Sequence, residues 1–485
     1  MDLSSRPTLA ILMFTQDQQG PMARIRPLCG TLHRKLIASM VIITILLTIH
    51  VVSPVSGNEE PTITWSRTYG PNNGVFSIQG TSDGGFVASG HGYGGEVIKA
   101  SLAGEPEWSK YYIPMGHGDA DLGGSVRQTR DGGFIVAGAV AEPVEAWLLK
   151  LDHNGNVQWS RTYKGYGFSQ IKETSDGQYI VAGSAIGPDP SDGWVLKLDP
   201  EGNIVWQEMF RDQDINYVEQ TRDGGYIVAG TVGVDSMAEA WIFKLDPAGN
   251  MVWQRAFEVN SPQYNQAIFV RQTHDGGYIV VGAVNFLFQD TLILRLDRNG
   301  NILWQKLYSR GGITSPVWVG ETSGGGFLLA GRFSYISPTN GIAGAWILKV
   351  DKNGNKVWDK VYGGLNDLFF LADATRSGGL IAVGATGGGA TWVLKLDDQG
   401  SIAGCPLGRP ANATLTDTYA TTTNTSITPV STNATVTQTG VTALVHYPGV
   451  QTQCIGSMDR DHESDRDKHY LDSRGTEKEQ FHAFP

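Results

Sequence analysis

Short apolar runs fill the chain between residues 62 and 404, separated by turn-forming residues. Stretches such as Phe-Ile-Val-Ala at 134 and Trp-Leu-Leu-Lys-Leu at 147 are rich in branched and aromatic side chains, the composition of β-strands. Between them stand Asp-Gly-Gly and Asn-Gly-Asn, which supply the positive φ that a tight hairpin turn needs. Nowhere in this region do apolar residues recur at 3.6-residue spacing over the roughly ten residues that a crossover helix requires. That excludes βαβ architectures.

The runs recur as two phrases. TSDGGFVASG at 81 returns as TRDGGFIVAG at 129, TSDGQYIVAG at 174, TRDGGYIVAG at 221, THDGGYIVVG at 273, TSGGGFLLAG at 322 and TRSGGLIAVG at 375. The steps are 48, 45, 47, 52, 49 and 53 residues. The second phrase appears as AWLLKLDHNGNVQW at 146, GWVLKLDPEGNIVW at 193, AWIFKLDPAGNMVW at 240, TLILRLDRNGNILW at 291 and AWILKVDKNGNKVW at 345. Each unit therefore reads as four strands. A ends at the recurring Thr, B follows Asp-Gly-Gly, C precedes Asp-x-x-Gly, and D carries a tryptophan. A β-helix would need shorter coils and parallel strands. The expected fold class is all-β, a seven-bladed β-propeller of four-stranded antiparallel blades with a mostly disordered C-terminal extension. The seventh unit lacks a tryptophan strand, and TITWSRTYG at 62–70 provides one. The N-terminal strand is thus expected to close the ring beside the strand around Trp392.

The remainder of the chain divides by composition. Residues 1–57 form a leader whose apolar run, 36–52, follows His33, Arg34 and Lys35. This is a signal peptide cleaved before Asn58, or else a single uncleaved membrane anchor. Residues 58–404 are the propeller. Residues 405–455 are a Thr/Asn-rich stalk bracketed by Cys405 and Cys454, which are expected to pair once Cys29 leaves with the leader. Residues 456–485 are a charged, disordered tail. The expected location is secreted or cell-surface, and the expected state is monomeric.

Charge and cysteine content narrow the chemistry. With 37 basic against 48 acidic residues, the chain has no basic excess to displace counterions, so nucleic acid is excluded as a partner. Three cysteines in 485 residues exclude a disulfide-dense scaffold or a multi-cysteine zinc module. The recurring tryptophans, one set opening strand C and another in strand D, read as packing between blades. The repeated Asp-x-x-Gly turns lack the ligand order of a calcium loop and read as Asx turns.

The turns between A and B and between C and D hardly vary, whereas the B–C and D–A connections do. Function resides most often in variable loops on a rigid scaffold, so the B–C/D–A face is the expected binding surface. Its off-pattern side chains are Trp318, Tyr335, Tyr264, Tyr166 and His117, with Tyr112 beside them. Glu145, Asp192, Glu239 and Asp290 stand two residues ahead of the first large side chain of strand C in four consecutive units. They form a weak candidate series for calcium; no other cofactor and no catalytic residue is expected.

The DGGYIVAG and AWxLKLDxxGNxxW phrases resemble those of extracellular microbial repeat propellers with PQQ-like or Kelch-like sheets, over residues 62–404. A PQQ-type resemblance implies a calcium–quinone pocket, and a copper-oxidase Kelch resemblance implies a cysteine–tyrosine crosslink. No residue set for either is present, since all three cysteines lie outside the blades. Two functions follow. One is an extracellular or cell-surface binding or structural propeller that engages a polymer, glycan or protein through its variable-loop face. The other is a secreted propeller enzyme, an oxidoreductase, glycan hydrolase or lyase, with its site near the ring axis.

Overall fold

The computed structural model describes residues 64–455, apart from short interruptions in loops and in the C-terminal stretch. The chain divides into two compact units, 1–59 and 60–485. The leader lies wholly outside the described residues, as do the tail from 456 and His117. Among the described residues no helix is long and apolar enough to cross a membrane.

Every repeat folds as an antiparallel meander in the order A–B–C–D. In the third, A is Gly165–Glu173, B Tyr179–Ala185, C Gly193–Leu198 and D Ile204–Phe210. The A strands of successive repeats touch one another in turn, and that of the seventh, Leu368–Ala374, returns to that of the first, Gly74–Gly80. The chain is therefore a closed β-propeller with its A strands around the axis. The N-terminal strand Trp65–Tyr69 pairs with Thr391–Leu396, setting Thr68 opposite Trp392, and the Trp392 indole donates to the Ser66 hydroxyl at 2.9 Å.

The sheets correct the expectation of seven separate four-stranded blades. Among the described residues, five sheets have the size of single blades, four with five strands and one with four, and the sixth is a ten-stranded sheet. That large sheet contains the first two repeats, joined where His91 pairs with Asp121. The fusion falls at an irregular stretch: the A strand of the second repeat jumps register between Asp121 and Ser125, and Gly92 pairs with Gly94 across the tight B–C hairpin of the first.

The stretch expected as a spacer is paired in six places. Gly408–Pro410, Thr414–Asp417 and Ala420–Thr423 join the D strands of the sixth, fifth and fourth repeats. Val436–Gln438 and Val441–Val445 join those of the second and first. Val450–Ile455 then pairs with the N-terminal strand. These segments run back around the rim against the order of the repeats. The stretch has too few large apolar residues to enter a core, but an edge strand needs only backbone groups, and threonine suits an extended chain.

The blades are held together by tryptophan and tyrosine. The strand-C indoles of Trp147, Trp194, Trp241, Trp346 and Trp392 are at most 1% exposed. The strand-D indoles do a second task by donating to the C–D turn of the next repeat. Trp65 donates to Leu102 O at 3.0 Å, Trp108 to His153 O at 3.1 Å, Trp159 to Pro200 O at 3.1 Å, and Trp304 to Lys352 O at 3.0 Å. Tyrosines at the far end of strand D reach the same turns. Tyr69 donates to Gly104 O at 2.7 Å, Tyr112 to Gly155 O at 2.7 Å, and Tyr163 to Gly202 O at 2.6 Å. Tyr112, expected among the exposed loop aromatics, is thus a buried member of this latch. Burial pushes the Tyr163 hydroxyl well above its ordinary value, so it remains a donor. Gly202 is required twice over: its φ is +82°, and a Cβ there would stand 3.1 Å from the Trp159 ring.

Replacing Tyr163 by Phe leaves the buried Gly202 carbonyl without its donor and should cost about 1–3 kcal/mol. Trp159→Ala removes both ring and donor and should cost about 3 kcal/mol or more. Urea denaturation checks both, and unchanged midpoints would show that the latch contributes nothing.

Candidate functional site

The repeated aspartates are consumed by architecture. At the C–D turns, Asp152 Oδ1 accepts the Asn154 and Asn156 amides at 2.9 and 2.8 Å, and Oδ2 accepts Asn156 Nδ2 at 2.9 Å. At the A–B turns, Asp131 Oδ1 accepts the Thr129 hydroxyl at 2.5 Å and the Gly133 amide at 2.9 Å, while Lys150 from strand C binds Oδ2 at 2.8 Å. The same lock joins Lys99 to Asp83, Lys197 to Asp176, Lys244 to Asp223 and Arg295 to Asp275.

The acidic series does not converge. Glu145, Glu239 and Asp290 open the C strands of their own blades, half-buried. Asp192 is 1% exposed and accepts the Asp212 amide at 2.9 Å. Burial pushes the Asp290 carboxyl up, against a hydrogen bond from Ser309. Among the described residues no group of three His, Cys, Asp or Glu could hold a metal.

The off-pattern aromatics scatter as well. Trp318, expected on an exposed D–A loop, lies in the A strand Ile313–Glu321, paired with Ala330 and 2% exposed. The strand of this repeat begins before Trp318, which makes an apparent loop residue an axial one. Tyr166 is exposed near the start of the third A strand. Tyr264 is half-buried ahead of the fifth, donating to Gln266 Oε1 at 3.3 Å. Tyr335 pairs with Ile342 at the end of strand B, its side chain outside the described set.

The axis holds what these readings missed. Four residues before the recurring Thr stand Ser77, Ser125, Gln170, Tyr217, Phe269, Trp318 and Leu371, one per repeat. Two residues before it stand Gln79, Arg127, Lys172, Glu219, Arg271, Gly320 and Asp373. Counting back from that Thr would have found both rings, because side chains two apart in a strand share a face.

Two cavities lie along this axis. The larger, about 510 Å³, is formed by the earlier parts of the A strands, toward the D–A connections. Every repeat contributes to it, through Phe76, Gly124, Ser169, Asn216, Gln266, Ser315 and Leu371 among others, with Arg332 from a B strand. Its lining residues carry amides, hydroxyls, aromatic rings and one guanidinium. The smaller, about 250 Å³, lies at the A–B end and is lined by Gln79, Arg127, Gln128, Arg130, Lys172, Glu173, Phe269, Arg271, Trp318 and Asp373. Phe269 borders both.

The chain is a β-propeller with an axial site. No family model and no curated protein matches it, so the PQQ-like and Kelch-like resemblances gain no support. Solved propellers resemble it in fold. The WD40 β-propeller domain of Doa1 aligns over 70% of this chain and 98% of that one, at 11% identity and a TM-score of 0.47. Sqt1 of Chaetomium thermophilum aligns over 69% and 98%, at 12% identity and a TM-score of 0.43. An ulvan lyase from a new polysaccharide lyase family, bound to -[GlcA(1-4)Rha3S]-, aligns over 68% and 95%, at 13% identity and a TM-score of 0.45. Likeness at this level carries no functional argument.

The aspartate lock makes stability depend on acid. Burial pushes the Asp275 carboxyl up, but the Thr273 hydroxyl, the Gly277 amide and Arg295 together bring it down to about 2. The unfolded value is about 3.9. Asp275 thus contributes stability that is fully present above about pH 4 and is lost as pH falls toward 2. The carboxylate is 66% exposed, so screening keeps the effect small. Melting temperature should fall less steeply between about pH 4 and 2 in Asp275→Asn than in the wild type; parallel curves would exclude the lock as a source of acid sensitivity.

Proposed function

We propose that this protein is a secreted or cell-surface recognition propeller that engages a polymer, glycan or protein in the larger axial cavity, on the side of the B–C and D–A connections. The observation supporting this reading is the cavity's lining. Phe76, Ile268, Phe269 and Val317 offer apolar surface, and Ser169, Asn216, Gln266, Ser315 and Arg332 offer hydrogen bonds. Apolar walls with a few convergent polar groups are the usual composition of a ligand site. The lining residues include no carboxylate, imidazole or thiol; their hydroxyls are those of Ser169, Tyr217 and Ser315. Tyr264 supports Gln266 from outside the cavity, and Tyr166 is the exposed aromatic on the same strand as Ser169.

The exported location rests on the leader and on cysteine chemistry. Cys405 is disulfide-bonded, a state that favours an oxidising compartment. Its proposed partner is Cys454, which lies opposite Ser66 of the N-terminal strand. That bond would tie both ends of the rim-following segment to the closure of the ring.

Two measurements test this reading. Screening the purified full chain against glycans, cell-wall polymers and extracellular proteins should yield a ligand. Gln266→Ala and Arg332→Ala should then weaken it by about tenfold each without lowering the melting temperature. Binding unchanged in both variants would remove the cavity from the reading, and turnover of the ligand would replace recognition by catalysis. Non-reducing peptide mapping should recover a Cys405–Cys454 peptide, and a free Cys454 thiol would refute the pairing.

A further inference from the structure

The smaller axial cavity has the opposite chemistry from the larger one. Arg127, Arg130, Lys172 and Arg271 line it, opposed by Glu173 and Asp373, with Glu219 beneath. Counting all seven, one positive charge is in excess, in a chain whose net charge is -11. The arrangement is built. Lys172 Nζ lies 2.5 Å from Glu219 Oε2 and 4.9 Å from the Tyr217 ring. Arg271 Nε lies 3.5 Å from the same oxygen, and its guanidinium stacks 5.6 Å from Trp318 and 5.4 Å from Phe269. The Trp318 indole occupies the place of a side chain at 320, where a Cβ would come within 2.3 Å of it. Gly320 thereby admits the ring on which Arg271 rests.

The cations are unequally committed. Glu219 is shared by Lys172 and Arg271; burial pushes its carboxyl up, but these two cations outweigh that and hold it ionised below its ordinary value. Arg130 is spent on the Thr174 and Ser175 carbonyls of the next repeat, at 2.7 and 2.9 Å. Arg127 binds only uncharged acceptors, Val126 O at 2.7 Å and Gln170 Oε1 at 3.4 Å. Like Arg130 it forms no ion pair among the described residues, and it stands at the same place in its strand as Lys172 and Arg271.

We propose that this end of the axis binds a single monoanionic group, a carboxylate or a sulfate ester, between Arg127, Lys172 and Arg271. Guanidinium forks match the paired oxygens of such groups, and a site shielded by Trp318 and Phe269 strengthens the attraction. The volume, about 250 Å³, falls below the roughly 300–1,000 Å³ of a drug-sized pocket. The occupant is therefore one charged group or one acidic sugar ring, with any remaining polymer lying outside. This site shares Phe269 with the larger cavity but none of its charged groups, and its test does not require that ligand to be known.

The test uses the full chain with glucuronate, methyl sulfate and uncharged glucose, followed by ligand-observed NMR and calorimetry at low and high salt. Glucuronate, methyl sulfate or both should bind, with affinity falling as salt rises, while glucose does not; which anion binds identifies the group. Arg127→Gln should weaken binding by about tenfold or more, the worth of a charge-assisted hydrogen bond, and Arg127→Lys should restore part of it. Asp373→Asn leaves every cation in place and should tighten binding, so the proposal can still be judged if Arg127→Gln does not fold. Failure of both anions to bind overturns it. So does equal binding of glucose, an Arg127→Gln variant as tight as wild type, or an Asp373→Asn variant with no gain.

Discussion

Neighbouring repeats are held together by a recurring latch, in which a strand-D indole, a phenol or both donate to carbonyls of the following C–D turn. A sheet of four or five strands cannot bury both faces alone, so a blade is stable only against a neighbour. The latch fixes the angle at which that neighbour sits, because Trp159 and Tyr163 reach Pro200 and Gly202 across the gap. The turn answers with a glycine at φ +82°, where a Cβ would stand 2.8 Å from Arg161 Cδ and 3.1 Å from the Trp159 ring. The N-terminal strand follows the same rule: Trp65 and Tyr69 engage the turn of the first repeat at Leu102 and Gly104. Closure of the ring is thus one more copy of a repeated contact.

A ring latched near its rim and locked through its turns leaves the axis free to differ from repeat to repeat. D-strand tryptophans and strand-C cations recur in every repeat, and the A–B turn aspartate in the first five. The axial positions recur in place but not in kind: Gln79, Arg127, Lys172, Glu219, Arg271, Gly320 and Asp373 occupy one ring and mix an amide, three cations, two carboxylates and a glycine. That variation, on a scaffold that otherwise repeats, is where specific recognition can be built. It also gives the two ends of the axis unlike chemistry, uncharged but for Arg332 at one end and ionic at the other.

The outer rim presents a different problem, an exposed edge strand on each blade. Segments of the C-terminal stretch pair with the D strands of five repeats and with the N-terminal strand. Threonine-rich segments do this without an apolar face, since the ladder needs only amides and carbonyls. The cost of ordering so polar a segment is offset by backbone pairing that water would otherwise supply.

The repeat, the strand order, the turn chemistry and the closing role of the N-terminal tryptophan strand were legible in the residues, because period-two strands and glycine turns are local signals. The packing roles of Trp147 and Trp194 were legible too, through recurrence alone. What escaped was long-range. Whether neighbouring repeats share a hydrogen bond, as His91 and Asp121 do, depends on strand ends that meet only in the ring. A threonine-rich segment pairs only if an unpartnered edge lies within reach, and composition does not say where edges are. Trp318 had the look of a loop residue, but it stands within an A strand of ordinary length, four residues before the recurring Thr, and is buried. The axial charges were visible as letters, but their meaning lay in being brought together from positions about fifty residues apart. Local propensity determined the elements; closure of the ring decided the site.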